Sequence, residues 1–282
     1  GGAGTFSDGK LTTRVNDSSM GYILKTFVAA GAPADILYEQ KPHVGTDKLR
    51  AMVEGLIKAI VSHGGEIRYE TQAVDFLLKN GAMTGIKTNT GEIIATNAVI
   101  LACGHSARDT YAMLAGKQMA IEAKPFAIGL RIEHEQELIN QAQYGAFAHH
   151  PKLGAADYNL VCHLKETGRT AYSFCMCPGG KIVASASEVG GVVTNGMSLY
   201  ARDSGLANSA LLVNVGPEDF AQGPLGGVEL QRRYEHLAFT AAGSCYAAPA
   251  ENTQSFMSGG VPSLAVRFTL SDNPTIKGVG LE

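Results

Sequence analysis

Asn97-Ala98-Val99-Ile100-Leu101-Ala102-Cys103-Gly104-His105-Ser106 is the stretch on which the reading of this chain turns. The apolar run Ala98–Ala102 suits a strand buried on both faces, as in a parallel sheet. Gly104 permits the left-handed backbone that a sharp turn needs. Ser106 and Asp109 then have capping-box spacing for a helix from Ala107 to about Leu114. A buried strand that ends in a glycine turn and starts a helix lies where α/β sheets bind ligands, outside the carboxyl ends of the strands. A purely structural turn of the same composition is the plain alternative.

The flanks extend the pattern. Upstream, Asn16-Asp17-Ser18-Ser19 caps a helix to about Ala30, which Gly31 and Pro33 end. Thr46 and Asp47 start a clearer one, with Leu49, Val53, Leu56, Ile57 and Ile60 on one face and Gly64-Gly65 at its end. Strand-like runs follow at Glu66–Glu70, Val74–Leu78, Thr84–Thr88 and Glu92–Ala102, and Asn80-Gly81 is a two-residue hairpin signal. Past Gly116 the texture changes. Ala127–Glu133, Asn159–Leu164, Thr170–Cys175, Lys181–Ser187 and Ala210–Val215 read as strands between glycine-rich turns. Helices are expected near Glu135–Gln143 and Val228–Ala242. The division expected is an α/β segment over 1–116 (with a helical connection over 16–45), a β-rich domain over 117–250 and a tail over 251–282.

Composition narrows the function. The 282 residues suffice for one large domain or two ordinary ones. Hydrophobic residues make up 45% and charged residues 17%, a globular profile. The net charge of −3 and the lack of a basic run argue against nucleic acid or an anionic membrane as partner. No apolar run reaches the ~18 residues of a spanning helix. Five cysteines (Cys103, Cys162, Cys175, Cys177, Cys245) form no disulfide framework, which fits a reducing cytoplasm. The chain opens on Gly1-Gly2-Ala3-Gly4-Thr5-Phe6-Ser7-Asp8-Gly9-Lys10. These glycines admit a ligand close to the main chain, while Ser7, Asp8 and Lys10 bring donors, an acceptor and a cation.

The meander followed by Asn97–Ser106 resembles the second FAD-contacting segment of two-dinucleotide-binding-domain flavoproteins, where an apolar strand ends in Ala-Thr-Gly along the adenosine half of FAD. Cys103 stands where that family has Thr, and Gly104 keeps the backbone approach. The opening Gly1–Lys10 resembles the loop that passes the flavin in the bacterial FAD-dependent dehydrogenases, or NAD(P)/FAD-dependent oxidoreductases. The likeness continues through Lys41–Asp47, Gly104–Thr110, Lys124–His134, Tyr172–Gly180 and Gly190–Asp203, and fades beyond Ala250.

The resemblance implies a partial FAD-binding, Rossmann-like domain with a β-meander, then a β-rich substrate or cap domain, α/β plus α+β in class. It implies FAD as cofactor, with NAD(P)H a possible electron donor and a small molecule as substrate. Gly1, Gly2, Gly4, Thr5, Phe6, Ser7, Asp8, Gly9 and Lys10 would lie beside the flavin, and Val74, Ala102, Cys103, Gly104 and His105 beside adenosine. Family members begin with a strand and a Gly-x-Gly-x-x-Gly helix and end on a segment that closes over the flavin. Neither is in these 282 residues, so the expectation is the central part of a flavoenzyme, which alone binds FAD weakly or not at all and is inactive.

Other residues carry competing readings. Lys10 places a cation at a flavin edge or is a solvated loop lysine. Val74 meets adenine through its backbone or is sheet core. Cys175 and Cys177, at i and i+2 of a strand, share one face and line a cleft or simply pack. Arg131 and His134 meet an anionic substrate or sit on a strand edge. Arg202-Asp203 reads as a surface or hinge ion pair. His149-His150 and His163 lack ligand spacing, so no metal is expected. No Gly-x-Ser-x-Gly elbow supports a hydrolase. The alternatives to a flavin dehydrogenase are a non-catalytic flavin-binding or regulatory module and a thiol redox protein using Cys175 and Cys177.

Overall fold

In a computed structural model the described residues are 7–12 and 17–259, with the backbone of 264–266. In chain order the elements are α1 (Met20–Ala29), α2 (Thr46–Ser62), β1 (Ala73–Lys79), β2 (Ala82–Thr88), β3 (Ile93–Ala95), α3 (Arg108–Gly116), β4 (Phe126–Glu135) and α4 (Gln136–Tyr144). They continue with β5 (Val161–Leu164), β6 (Arg169–Cys177), β7 (Gly180–Ser185), β8 (Val193–Ser198), β9 (Leu206–Val215), α5 (Gly226–Ala241), β10 (Ala248–Ala250), α6 (Thr253–Met257) and β11 (Leu264–Val266).

Two compact units form. The first gathers the described residues of Gly1–His63, Phe126–Val215 and Arg233–Glu282, and the second is Gly64–Pro125 with Gly216–Arg232. The units therefore cut across the linear division at 116, because residues before 64 fold with residues after 125.

The first unit is built on an antiparallel sheet of order β4-β9-β6-β5, with the hairpin β7-β8. One core cluster joins its helices. Ala32, Ile36, Val44, Leu49 and Met52 are buried, with Leu11, Leu24, Phe27 and Val53 against them. Complete burial of Ile36 and Val44 contributes about 1.5–3 kcal/mol each. Ala184, Val192 and Ala248 form a second cluster, covered by Ala238 and Phe239. The helix expected after a cap within Asn16–Ser19 is α1, which starts at Met20 with Ser19 as its N-cap residue, and α2 has Gly45 as N-cap, with Thr46 as its first residue.

The second unit holds the meander β1-β2-β3 and α3. Asn80 (φ +51°) and Gly81 (φ +78°) are both left-handed, which is what a type I′ hairpin turn requires. Three expectations fail here. Glu66–Glu70 forms no strand, and Glu70 is left-handed at φ +54°.

The long strand Glu92–Ala102 is also cut short at Ala95. The Thr96 hydroxyl donates to the Ala98 carbonyl at 2.9 Å and accepts from the Ala98 N–H at 3.3 Å. This local side-chain bonding competes with a ladder, although the Thr96 N–H still donates to the Thr84 carbonyl at 3.2 Å. Ile100 is 95% exposed, not buried on both faces. Finally, α3 starts at Arg108 and its N-cap residue, Ala107, makes no side-chain cap bond. Ser106 instead pairs with His105 Nδ1 at 2.9 Å. Every strand pair among the described residues is antiparallel, so the parallel Rossmann-like sheet is not met there and the class is mixed α/β.

Candidate functional site

Lys10 reaches the site because the segment carrying it is clamped to the chain before α2. Leu11 N–H donates to the Pro42 carbonyl, Val44 N–H to Gly9 and Gly45 N–H to Asp8, all at 2.9–3.1 Å. The Thr46 hydroxyl ties the segment to the end of β8, through the Ser7 and Ser198 carbonyls. Gly45 is required there. Its φ is +84°, and a Cβ would run into the backbone of Tyr200.

So held, the Lys10 ammonium points at β6. Its Nζ donates to Asp8 Oδ2 at 2.6 Å, Cys177 Sγ at 3.0 Å and Cys175 Sγ at 3.5 Å. Three acceptors match its three donors. Burial alone would lower the Lys10 pKa. The negative charge of Asp8 and the thiols outweighs that and raises it, so the side chain stays a cation. The Ser198 hydroxyl adds a bond to Asp8 Oδ2 at 3.4 Å.

Cys175 and Cys177 meet Lys10 by a route that alternation alone does not supply. The β6–β9 register is interrupted between Phe174 and Cys177, and Cys175 is left-handed at φ +49°. A bulge re-aims the side chains in this way. Cys177 is fully buried, and its Sγ donates to the Cys175 carbonyl at 3.3 Å. The hydrogen bond from Cys177, and after it the Lys10 charge, hold the Cys175 thiol down at about 6. The same pairing and burial push Cys177 up, so the pair carries its thiolate on Cys175.

Arg131, from β4, closes the far side of this group. Its Nη1 bonds to Asn208 Oδ1 on β9 and lies 4.0 Å from Cys177 Sγ. Gly196 makes the space, since a Cβ there would strike Arg131, Asn208 and Cys177. Asn208 has no exposed surface, and its Nδ2 has no hydrogen-bond partner. His43 pairs with Lys10 across an isolated β-bridge and stacks on Tyr200, with ring centroids 5.9 Å apart. Burial first, then the Arg202 charge, pushes its pKa down and keeps it neutral. The Leu199 carbonyl faces the ring without reaching hydrogen-bond geometry, so both ring nitrogens are unpartnered. Tyr200 is fixed by Asp35 on its hydroxyl and by Lys48, 3.2 Å above its ring.

The second unit holds a different group. Val74, 40% exposed on β1, is surface rather than sheet core. Ala102, Cys103, Gly104 and His105 form an exposed turn before α3, with Gly104 at φ +76° and open space where a Cβ would stand. The turn is braced by Tyr111, whose hydroxyl donates to the Gly104 carbonyl at 3.0 Å. Gln72 bonds Asp109, and Lys117 pairs with Asp75 at 2.7 Å, so β1 is tied to both ends of α3.

Of the expected site residues, Ser7, Asp8, Gly9, Lys10, Cys175, Cys177 and Arg131 thus fall in the first unit. Val74 and Ala102–His105 fall in the second, while Gly1, Gly2, Gly4, Thr5 and Phe6 lie outside the described residues. His134 is engaged by the Tyr158 hydroxyl at 2.9 Å. Among the described residues no ion pair joins Arg202 to Asp203, and Arg202 Nε is buried without a partner. His149 meets Glu137, and His163 meets Thr170. No group of three or more metal-ligating side chains occurs among the described residues. Sequence reasoning missed Asn208, His43 and Tyr200. The glycine inside β8 was the available sign of a close approach.

Residues 125–281 match the family model described as FAD-dependent protein, C-terminal domain-like. Residues 42–156 match that of the FAD dependent oxidoreductases. The chain belongs to this FAD-dependent oxidoreductase family. A protein of Clostridium beijerinckii (strain ATCC 51743 / NCIMB 8052), described only as uncharacterized, is 51% identical over 258 residues, covering 91% of this chain and 48% of that protein. The chain thus spans about half the length of that relative. FAD is the cofactor of both matched families.

The residues present fit such a group. The unpartnered Asn208 Nδ2 and His43 nitrogens are buried polar atoms that lack a partner within the chain. Lys10, in the same unit, brings a cation.

Proposed function

We propose that this chain supplies the flavin-flanking and adenosine-flanking parts of an FAD-dependent dehydrogenase of about its relative's length. The observation that carries the reading is the clamped Lys10 ammonium, held by Asp8 against β6 in a family that uses FAD. Bound FAD supplies two-electron chemistry, accepting hydride from a small-molecule substrate or a reduced nicotinamide.

Lys10 would supply a positive charge beside the bound flavin. Its contact to Asp8 aims it, and its raised pKa keeps it charged throughout the physiological range. Val74 and Ala102–His105 present open backbone to adenosine. The β4-β9-β6-β5 sheet covers the reactive face, excludes water and selects the substrate, with Arg131, fixed in place by the buried Asn208, as its polar group. No described helix is long and apolar enough to cross a membrane.

The test is spectroscopic. The protein purified at about its relative's length is expected to show visible flavin absorbance and to release FAD on denaturation. Sulfite adds to a flavin more readily beside a positive charge, so Lys10→Met should weaken sulfite binding about tenfold or more, as removal of one nearby charge predicts. Protein that takes up no FAD, or sulfite affinity unchanged in Lys10→Met, overturns the reading.

A further inference from the structure

We propose that Cys175 and Cys177 form a reversible disulfide under hydroperoxide, with Cys175 as the attacking thiolate, Cys177 as the resolving thiol and Lys10 as the residue that positions both. The inference does not depend on the flavin role of Lys10.

Two sulfurs share one ammonium. Lys10 Nζ lies 3.0 Å from Cys177 Sγ and 3.5 Å from Cys175 Sγ, so the bulged β6 has brought both thiols to one point. In a regular strand, residues i and i+2 stand roughly 6.6 Å apart, near the upper limit for a disulfide, and both side chains stand clear of the sheet. The left-handed Cys175 changes that aim. The two cysteines also differ in access. Cys175 is only part-buried and Cys177 wholly buried, as an attacking and a resolving thiol require. The charged groups facing them are Lys10 and Asp8 from the N-terminal segment and Arg131 from β4. Their net sign favours a thiolate. The remaining cysteines, Cys103, Cys162 and Cys245, lack any such cation among the contacts of the described residues.

The chemistry balances. The Cys175 thiolate attacks a peroxide oxygen, so an S–O bond forms, the O–O bond breaks, and hydroxide or alkoxide leaves, taking a proton from solvent to become water or an alcohol. The Cys177 thiol then attacks the resulting sulfenic sulfur. The S–S bond forms, the S–O bond breaks, and the Cys177 proton leaves with the hydroxide as water. Exchange with an external dithiol returns both thiols.

Purified protein, reduced with dithiothreitol and desalted, is exposed to hydrogen peroxide, blocked with iodoacetamide, digested and weighed. The peptide bearing Cys175 and Cys177 should lose two hydrogens and escape alkylation, and dithiothreitol should restore it. In Cys177→Ser, the same treatment should instead add oxygen at Cys175. Alkylation of Cys175 should have its midpoint below that of an ordinary thiol. Lys10→Met should move that midpoint upward and slow disulfide formation at pH 7 about threefold, since lost thiolate is partly offset by a stronger nucleophile. The proposal is overturned if the treated peptide alkylates fully at both cysteines, if Cys175 gains oxygen while Cys177 still alkylates, or if Lys10→Met leaves the pH profile in place. Flavin content, measured on each sample, separates this result from the flavin reading.

Discussion

The Lys10 group and the Ala102–His105 turn both rest on left-handed glycines, yet they are made in opposite ways. At Gly45 (φ +84°) the neighbouring backbone of Tyr200 fills the space where a side chain would start. At Gly104 (φ +76°) that space is empty. In one region glycine is needed to pack protein against protein, and around it run four hydrogen bonds from distant segments. In the other, glycine leaves backbone uncovered. A half-buried, cross-braced cation is fixed before any ligand arrives. An exposed turn presents main-chain groups whose partner lies outside the turn.

Gly45→Ala should separate the regions most sharply. It adds left-handed strain and a backbone clash, so a loss of about 3 kcal/mol or more is expected in denaturant unfolding. Next comes Asn208→Ala, which leaves the half-buried Arg131 guanidinium without its acceptor. The expected cost is about 2–3 kcal/mol by the same measurement. Asp8→Asn keeps the shape but removes the charge that holds Lys10, which is itself partly exposed. About 1–2 kcal/mol is expected, along with a weaker salt-independent core to the site. Smallest should be Gly104→Ala, where only backbone strain enters, at about 1 kcal/mol. Its effect should show instead in FAD retention during gel filtration. If Gly104→Ala destabilises as much as Gly45→Ala, the contrast between packed and open glycines fails.

Legibility followed the range of the interaction. The β1–β2 hairpin was readable because Asn80 and Gly81 are themselves the turn. The helix α2 was readable from its apolar face and from Gly64-Gly65. The strand expected over Glu92–Ala102 ends at Ala95, and the Thr96 hydroxyl bonds locally to Ala98 two residues on. The thiol pair was visible as a spacing, but its bulge was not. Strand β8 went unread because Asn195 and Gly196 look like a turn. Gly196 sits there for what surrounds it, the Arg131–Asn208–Cys177 group.

By itself, the amino-acid sequence determined the helical and hairpin pieces, the glycine-rich approaches and the membership in an FAD-using family, because these are written in short spans of adjacent residues. Tertiary structure alone decided that Lys10 meets Cys177, 167 residues away in the chain. It also decided that the resulting triad with Cys175 lies in the first unit, while Val74 and Ala102–His105 lie in the second. The physical reason is that a side chain's charge and partners come from whatever the fold packs beside it. Spacing along the chain carries no record of a contact closed by three clamped segments and one strand bulge.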